Sequence, residues 1–378
     1  GYSWDREPDG KVIYGPFGYQ VVLSAEERDD GTEALSVAFG QKGRCMMKLV
    51  EIPMCVASLL SFGLLASIEA PPAYADFTFG EPVRTSVRIN GDHDSRCFSC
   101  DGLEIYIDGS LGAGQGGYDL WMLRRASKDE DWGAPENLGA AVNSPSHETM
   151  PCVAADGLSL YFCSDRPYGD DWRYNIFVTT RPTRNDPWGP AIDLGPAIND
   201  TSTADYGVWI SPDNLELYVS SFRSGGYGNA DIYVSRRTST NDSWPDLVNL
   251  GPIVNTAYSE TLQSLSPDGL LLLFSQPFTA TMSPPGGYGL SDLWMARRAS
   301  LSDPWQKPVN LGPVVNGPAT DCAPRLSADG RTLHFRSHRG GGWEDWEVSI
   351  DPIVDLNRDD KVDDGDILVM RLHWGQDY

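Results

Sequence analysis

The sequence predicts an all-β fold: a five-bladed β-propeller closed by its N-terminal strand, followed by a short calcium-loop and helix tail. Three observations carry this reading. A turn pair recurs as Asp101-Gly102, Asp156-Gly157, Asp213-Asn214, Asp268-Gly269 and Asp329-Gly330, at spacings of 55, 57, 55 and 61 residues. Short runs rich in aromatic and β-branched residues flank each pair, which suits strands rather than helices. The fifth unit lacks its last strand, and a matching strand stands ahead of the first. A period in this range with several short strands per unit marks a propeller. One small antiparallel sheet cannot cover both of its apolar faces, so the sheets stack radially and each covers the next.

Taken in order, residues 1–45 read as an upstream extension or disordered segment, because a start-like Met46-Met47-Lys48 follows them. Residues 46–75 read as an export leader: a positive charge, a mostly apolar stretch over 56–68, then the small-x-small pattern Ala73-Tyr74-Ala75. That stretch is too short to span a bilayer. Cleavage near Ala75 is expected, giving a secreted, periplasmic or cell-surface product with no membrane span. The competing reading is a genuine extension with a buried apolar helix.

The propeller is expected over residues 76–352. Each unit begins with a hairpin, since Asp-Gly between two apolar runs supplies the positive φ that a tight turn needs. A Gly-rich stretch leads to a third strand, at Asp119, Asn175, Asp231, Asp292 and Asp345 in turn, and four units end on a strand such as Trp305 to Gly312. The fifth unit runs out after Val348, and Phe79 to Thr85 supplies the missing strand. A ring closed in this way has no open edge.

Composition sets limits on partners. Lys and Arg number 29 against 53 Asp and Glu, a formal charge of 29 − 53 = −24. Phosphate backbones and anionic lipid surfaces repel such a chain, which argues against nucleic acid and membrane partners and leaves cations, neutral glycans and basic protein patches. Beyond the leader stand Cys97, Cys100, Cys152, Cys163 and Cys322; an odd count leaves at least one unpaired in the chain. Cys152 and Cys163 flank one hairpin and form the best candidate pair, subject to a one-residue slip of register. Cys97 and Cys100 have redox-motif spacing but sit on a strand entering a turn, which favours packed thiols.

Eight residues before each turn aspartate stand His93, Glu148, Asp205, Glu260 and Asp321. The strand that carries them is expected to be innermost, so Glu148, Asp205, Glu260 and Asp321 are the catalytic candidates at the channel, as an acid and base pair for a glycosidic bond. Recurrence in nearly every unit favours a structural role instead, through pairing with Arg166, Arg223 or Arg339 or capping of a neighbouring turn. A catalytic acid and base need different environments and break such symmetry. Tyr118, Tyr227, Tyr288 and Trp343 beside the Gly-rich loops are candidates for stacking on sugar rings.

The repeats resemble the WD-like repeats of TolB-type propellers. Ser266-Pro267-Asp268-Gly269, Ser327-Ala328-Asp329-Gly330, Ser211-Pro212-Asp213-Asn214, Phe222-Arg223 and Ser337-His338-Arg339 carry the likeness over about residues 77 to 350. The resemblance implies the propeller fold and, as in many members of that family, protein binding without catalysis.

The tail, 353–378, has separate chemistry. Asp355, Asn357, Asp359, Asp363 and Asp366 place oxygen side chains at positions 1, 3, 5, 9 and 12 of a loop, and Lys361 at position 7 offers its carbonyl. A hard cation such as calcium takes that many oxygens at once. Asp360 stands where such loops carry glycine, and position 12 is Asp rather than Glu. The run from Ile367 to Trp374 fits a short helix. This segment resembles one repeat of a type I dockerin, which implies calcium as cofactor and docking to a cohesin-like partner. The expected function is a non-catalytic recognition module for a glycan or protein, tethered by its tail. The alternatives are a glycoside hydrolase of polysaccharide degradation and an envelope protein-interaction scaffold.

Overall fold

The computed structural model describes residues 5–6, 12–14, 19–27, 33–41, 47–53, 77–85, 92–166, 173–200, 202–276 and 286–352. They belong to two compact units. In the first, β1 (Asp5–Arg6), β2 (Val12–Tyr14), β3 (Tyr19–Glu27), β4 (Glu33–Gln41) and β5 (Met47–Pro53) pair antiparallel in chain order. The segment read as an extension therefore holds four strands, and the start of the expected leader a fifth. Val12-Ile13-Tyr14, Val21-Val22-Leu23 and Val37-Ala38-Phe39 have the composition that strands favour.

The second unit is a ring of five four-stranded antiparallel blades. It begins with β6 (Phe77–Phe79) and β7 (Val83–Arg84). Blade 1 holds β8 (Asp92–Phe98), β9 (Glu104–Ser110), β10 (Asp119–Arg124) and β11 (Glu136–Asn137); blade 2 holds β12 (Glu148–Val153), β13 (Ser159–Ser164), β14 (Asn175–Thr180) and β15 (Ile192–Asp193). Blade 3 comprises β16 (Asp205–Ile210), β17 (Glu216–Ser221), β18 (Asp231–Arg236) and β19 (Val248–Asn249). Blade 4 comprises β20 (Thr261–Leu265), β21 (Leu271–Gln276), β22 (Asp292–Arg297) and β23 (Val309–Asn310). Blade 5 has β24 (Asp321–Leu326), β25 (Thr332–Ser337) and β26 (Glu344–Pro352), and both β6 and β7 pair with β26. No helix occurs among the described residues, so none there is long and apolar enough to cross a membrane.

Strand periodicity explains the stacking. Successive side chains point to opposite faces, so in β13 Leu160 and Phe162 pack with Tyr106 and Leu120 of blade 1. Tyr161 and Cys163 between them pack with Val208 and Leu217 of blade 3. The same alternation builds the seams between blades 3 and 4 and between blades 4 and 5. The hairpin turns take positive φ at Gly102, Gly157, Gly269 and Gly330; Asn214, at 59°, fills that place in blade 3, a conformation Asn tolerates better than most.

Every innermost strand carries a bulge at the same place, between His93 and Arg96, Thr149 and Cys152, Tyr206 and Val208, Leu262 and Ser264, and Cys322 and Arg325. The bulge frees backbone N–H groups, and a side chain of the preceding blade accepts them. Met150 N donates to Asp108 Oδ2 at 2.9 Å, Gly207 N to Cys163 Sγ at 3.2 Å and Leu262 N to Ser220 Oγ at 2.7 Å. At Gly207 a Cβ would lie 2.9 Å from the Leu262 carbonyl oxygen with φ at +73°, so a side chain there would strain the ring.

The bulge also corrects the cysteine reading. Thr149, not Cys152, faces Cys163, and Cys152 faces Tyr161. Among the described residues no cysteine forms a disulfide: Cys97, Cys152 and Cys163 are buried, Cys100 is exposed and Cys322 lies between.

Closure follows the expected course. Val83 pairs with Glu347 and Arg84 with Trp346, the places that Glu136 and Asn137 take against Met122 and Trp121 in blade 1. The seam from blade 5 to blade 1 differs from the other four. It joins Arg96 to Asp345 in a buried ion pair and sets His334 Nδ1 3.4 Å from Glu347 Oε2. The His334 ring lies 4.9 Å from that of Phe98.

Candidate ligand site at the channel mouth

Each repeated carboxylate starts an innermost strand or immediately precedes one, and all four are fully buried. They are turned into the loop that enters their own blade. Glu148 accepts from Ser144 N at 2.8 Å, Ser164 Oγ at 2.8 Å and Arg166 Nη2 at 2.7 Å. Asp205 accepts from Asp200 N at 2.6 Å and Arg223 Nη2 at 2.8 Å. Asp321 accepts from Gly317 N at 2.7 Å and Arg339 Nη2 at 2.8 Å. The three arginines are those expected to pair with the repeat. His93 lies in β8 opposite Gly109.

Glu260 breaks the pattern. Thr256 N and Oγ1 donate to it, but Gln276 Nε2 stands where the others have serine and arginine. Burial, without a guanidinium to offset it, pushes its carboxyl up to about 7. Asp205 is also raised by burial, with Ser221, the Asp200 N–H and Arg223 opposing.

A second repeat went unread in the sequence. Asn143, Asn199, Asn255 and Asn316 stand four residues after the closing Gly of the outer strand. Each amide oxygen accepts from the second residue of the third strand, as Asn143 Oδ1 does from Leu120 N at 2.8 Å and Asn255 Oδ1 from Ile232 N at 2.9 Å. The first residue of that strand then ties down the Gly-rich loop: Asp231 accepts from Tyr227 N and Gly228 N, and Asp292 from Tyr288 N and Gly289 N. These loops are thereby fixed around one end of the channel. In blade 5 the ion pair Arg84–Glu344, at 2.8 Å, stands where Asn137 donates to Asp119, Asn249 to Asp231 and Asn310 to Asp292 in other blades.

Inside that end is a cavity of about 680 Å³ to which all five blades contribute. Its wall carries Tyr118, Tyr174, Tyr206, Phe222 and Trp343, together with the neutral polar residues Asn229, Gln263 and several serines and threonines. Tyr118 and Trp343 are two of the four aromatics singled out as stacking candidates. Tyr227 and Tyr288 are exposed outside that wall. None of Glu148, Asp205, Glu260 and Asp321 lines it. Asp108, which does, is held by Ser95 N, Ser95 Oγ and Met150 N. His147 Nδ1 accepts from Tyr118 N at 3.1 Å. Met150 and Ala323, also in the wall, hold φ at 53° without being glycine, backbone strain of the kind that gathers at functional sites.

Among the described residues, no group of three or more His, Cys, Asp or Glu could hold a metal ion. The calcium-loop residues Asp355, Asn357, Asp359, Lys361, Asp363 and Asp366 lie outside the described residues, as does most of the expected leader.

No family model matches the chain, and no curated protein matches it. Among solved structures it is similar to TolB from Acinetobacter baumannii, at 12% identity over 88% of this chain and 80% of that one, with a TM-score of 0.44. The alpha-L-arabinofuranosidase from Podospora anserina in complex with cellotriose matches at 15% identity over 74% and 98% of the two chains, with a TM-score of 0.45. A thermostable family-43 glycoside hydrolase matches at 15% over 72% and 93%, also at 0.45.

Proposed function

We propose that this chain is an exported, non-catalytic recognition module that takes a neutral glycan at the channel mouth. The residues after 352 would serve as a calcium-loaded, dockerin-like tether to a cohesin-like or other envelope protein. The observation that supports this most is the division of labour among the side chains. The repeated carboxylates anchor loops, while the cavity wall is mostly aromatic and neutral-polar, with Asp108 and Arg336 as its charged members. Aromatic faces cover the C–H face of a sugar ring at low entropic cost, and a few fixed polar groups set its orientation. A volume of about 680 Å³ falls in the usual range for small-ligand sites.

Isothermal titration with soluble oligosaccharides tests the reading. Trp343→Ala should weaken binding roughly tenfold, the usual cost of losing an aromatic anchor, while Tyr288→Ala, outside the wall, leaves it unchanged. Equal binding by wild type and Trp343→Ala would remove the cavity from the account. Binding of a protein but no glycan would favour the scaffold reading.

One observation favours a hydrolase instead. Glu260 departs from the repeat, as a catalytic acid would, and its carboxyl is raised to about 7. Its oxygens are occupied by Thr256 and Gln276, so this route requires that loop to move. Sugar release lost in Glu260→Gln would establish it.

A further inference from the structure

Among the described residues four arginines are at least nine-tenths buried: Arg96, Arg181, Arg298 and Arg325. Three of them meet a carboxylate, Arg96 with Asp345, Arg181 with Glu104 at 2.6 Å and Arg298 with Glu216 at 2.7 Å. Arg325 has no carboxylate in ion-pair range among the described residues. Its Nε donates to the Arg96 carbonyl at 2.9 Å, and its Nη1 to the Pro324 carbonyl at 3.1 Å and Gln263 Oε1 at 3.5 Å. The guanidinium lies 5.0 Å from the centre of the Trp209 ring. Among the described residues, Nη2 donates to no protein atom.

An uncompensated buried charge is costly, which is why buried charges are found paired. Carbonyl dipoles and an aromatic face offset part of that cost and leave the charge in place. Arg325 lines a recess of about 50 Å³ on the hairpin-turn side of the ring, the opposite end from the mouth cavity. The recess is otherwise walled largely by Phe98, Val153, Trp209, Leu265 and Leu326, and among the described residues Arg325 is the only charged one in its lining. The hydroxyls of Ser99 and Ser266 are already given to Asp101 and Asp268.

We infer that this recess is an anion site, in which Arg325 Nη2 binds one small monovalent anion, either a halide or the carboxylate of a small acid. The space holds about three water-sized bodies, enough for chloride or formate. One charge matches one charge: a dianion would leave a net negative charge against apolar walls. Gln263 lines the mouth cavity and accepts from Arg325, so the occupied recess would form the underside of the mouth cavity's floor.

The test uses the full chain in sodium chloride, sodium formate and sodium gluconate at equal ionic strength, gluconate being too large for the recess. Chloride should raise Tm by a few degrees in a saturable way, by linkage to the folded state, and should broaden the ³⁵Cl resonance. Arg325→Gln should lose both responses, whereas Arg325→Lys, which keeps the charge, should retain part of each. An equal effect of formate would show that a carboxylate serves as well, and no effect of formate would restrict the site to halides. Equal Tm in chloride and gluconate, a rise that never saturates, or an unchanged response in Arg325→Gln would each overturn the proposal. Should Arg325→Gln fail to fold, the absence of ³⁵Cl broadening by the wild-type chain would overturn it alone.

Discussion

At the scale of single residues, the buried carboxylates separate by their partners. Glu148, Asp205 and Asp321 each face a guanidinium, and Glu260 faces an amide. Its folded-state pKa of about 7 stands above the roughly 4.3 of an unfolded glutamate. The folded chain therefore holds this proton more tightly, and the stability so gained is complete below about pH 4.3. It declines as pH rises through 7, by about 4 kcal/mol in all. Urea midpoints across this window should fall with pH in wild type, and Glu260→Gln, which mimics the protonated form, should remove that part of the slope. The recurrence of these carboxylates was legible in the sequence, as was their pairing with Arg166, Arg223 and Arg339. Their direction was not, because the loop that enters each blade captures the side chain, and only contacts distant in sequence reveal that. Asn143 and its three counterparts were equally regular in sequence. They went unread because an isolated asparagine resembles an ordinary turn residue until its two bonds to the third strand are seen.

Among the elements, the strands and closure by a segment within Phe79 to Thr85 followed from turn chemistry and alternation, and the structure adds the register of Val83 and Arg84 against β26. The innermost bulges did not, since a bulge adds one residue without a composition signal, and this displaced Cys152 from Cys163. The seam between blades 5 and 1 is the element-scale weak point. Where the other seams bury apolar clusters drawn from both blades, this one buries Arg96 and His334, with Asp345 and Glu347 partly buried. Burial lowers the His334 pKa, with Arg96 acting in the same direction and Glu347 and Asp345 opposing; Arg336 lies in the same strand. A depressed histidine favours folding above its unfolded pKa of about 6.5, and that contribution is lost as pH falls through the lower folded value. Hydrogen exchange, corrected for intrinsic rates, should show amides of β8 and β26 opening before those of β13, β17 and β21. The difference should widen several-fold below pH 6.5 in wild type and stay constant in His334→Gln.

For the whole molecule, the blades form a rigid frame that presents one shaped cavity to a strongly anionic protein's surroundings. Charge of −24 disfavours anionic polymers as ligands and leaves neutral ones. If the tail binds calcium as proposed, the ion should bind at one site and Asp355→Ala with Asp359→Ala should abolish that binding, as read by calorimetry, without changing glycan affinity. Unchanged calcium uptake in that double variant would remove the loop from the account. The most direct test of the central claim is to incubate the chain from Asp76 onward with a panel of insoluble polysaccharides. Protein depletion and released sugar are followed together, for wild type and Trp343→Ala. Depletion by at least one polysaccharide, without sugar release and weakened in Trp343→Ala, is the expected result. Sugar release that disappears in Glu260→Gln, or no depletion by any member of the panel, would contradict it.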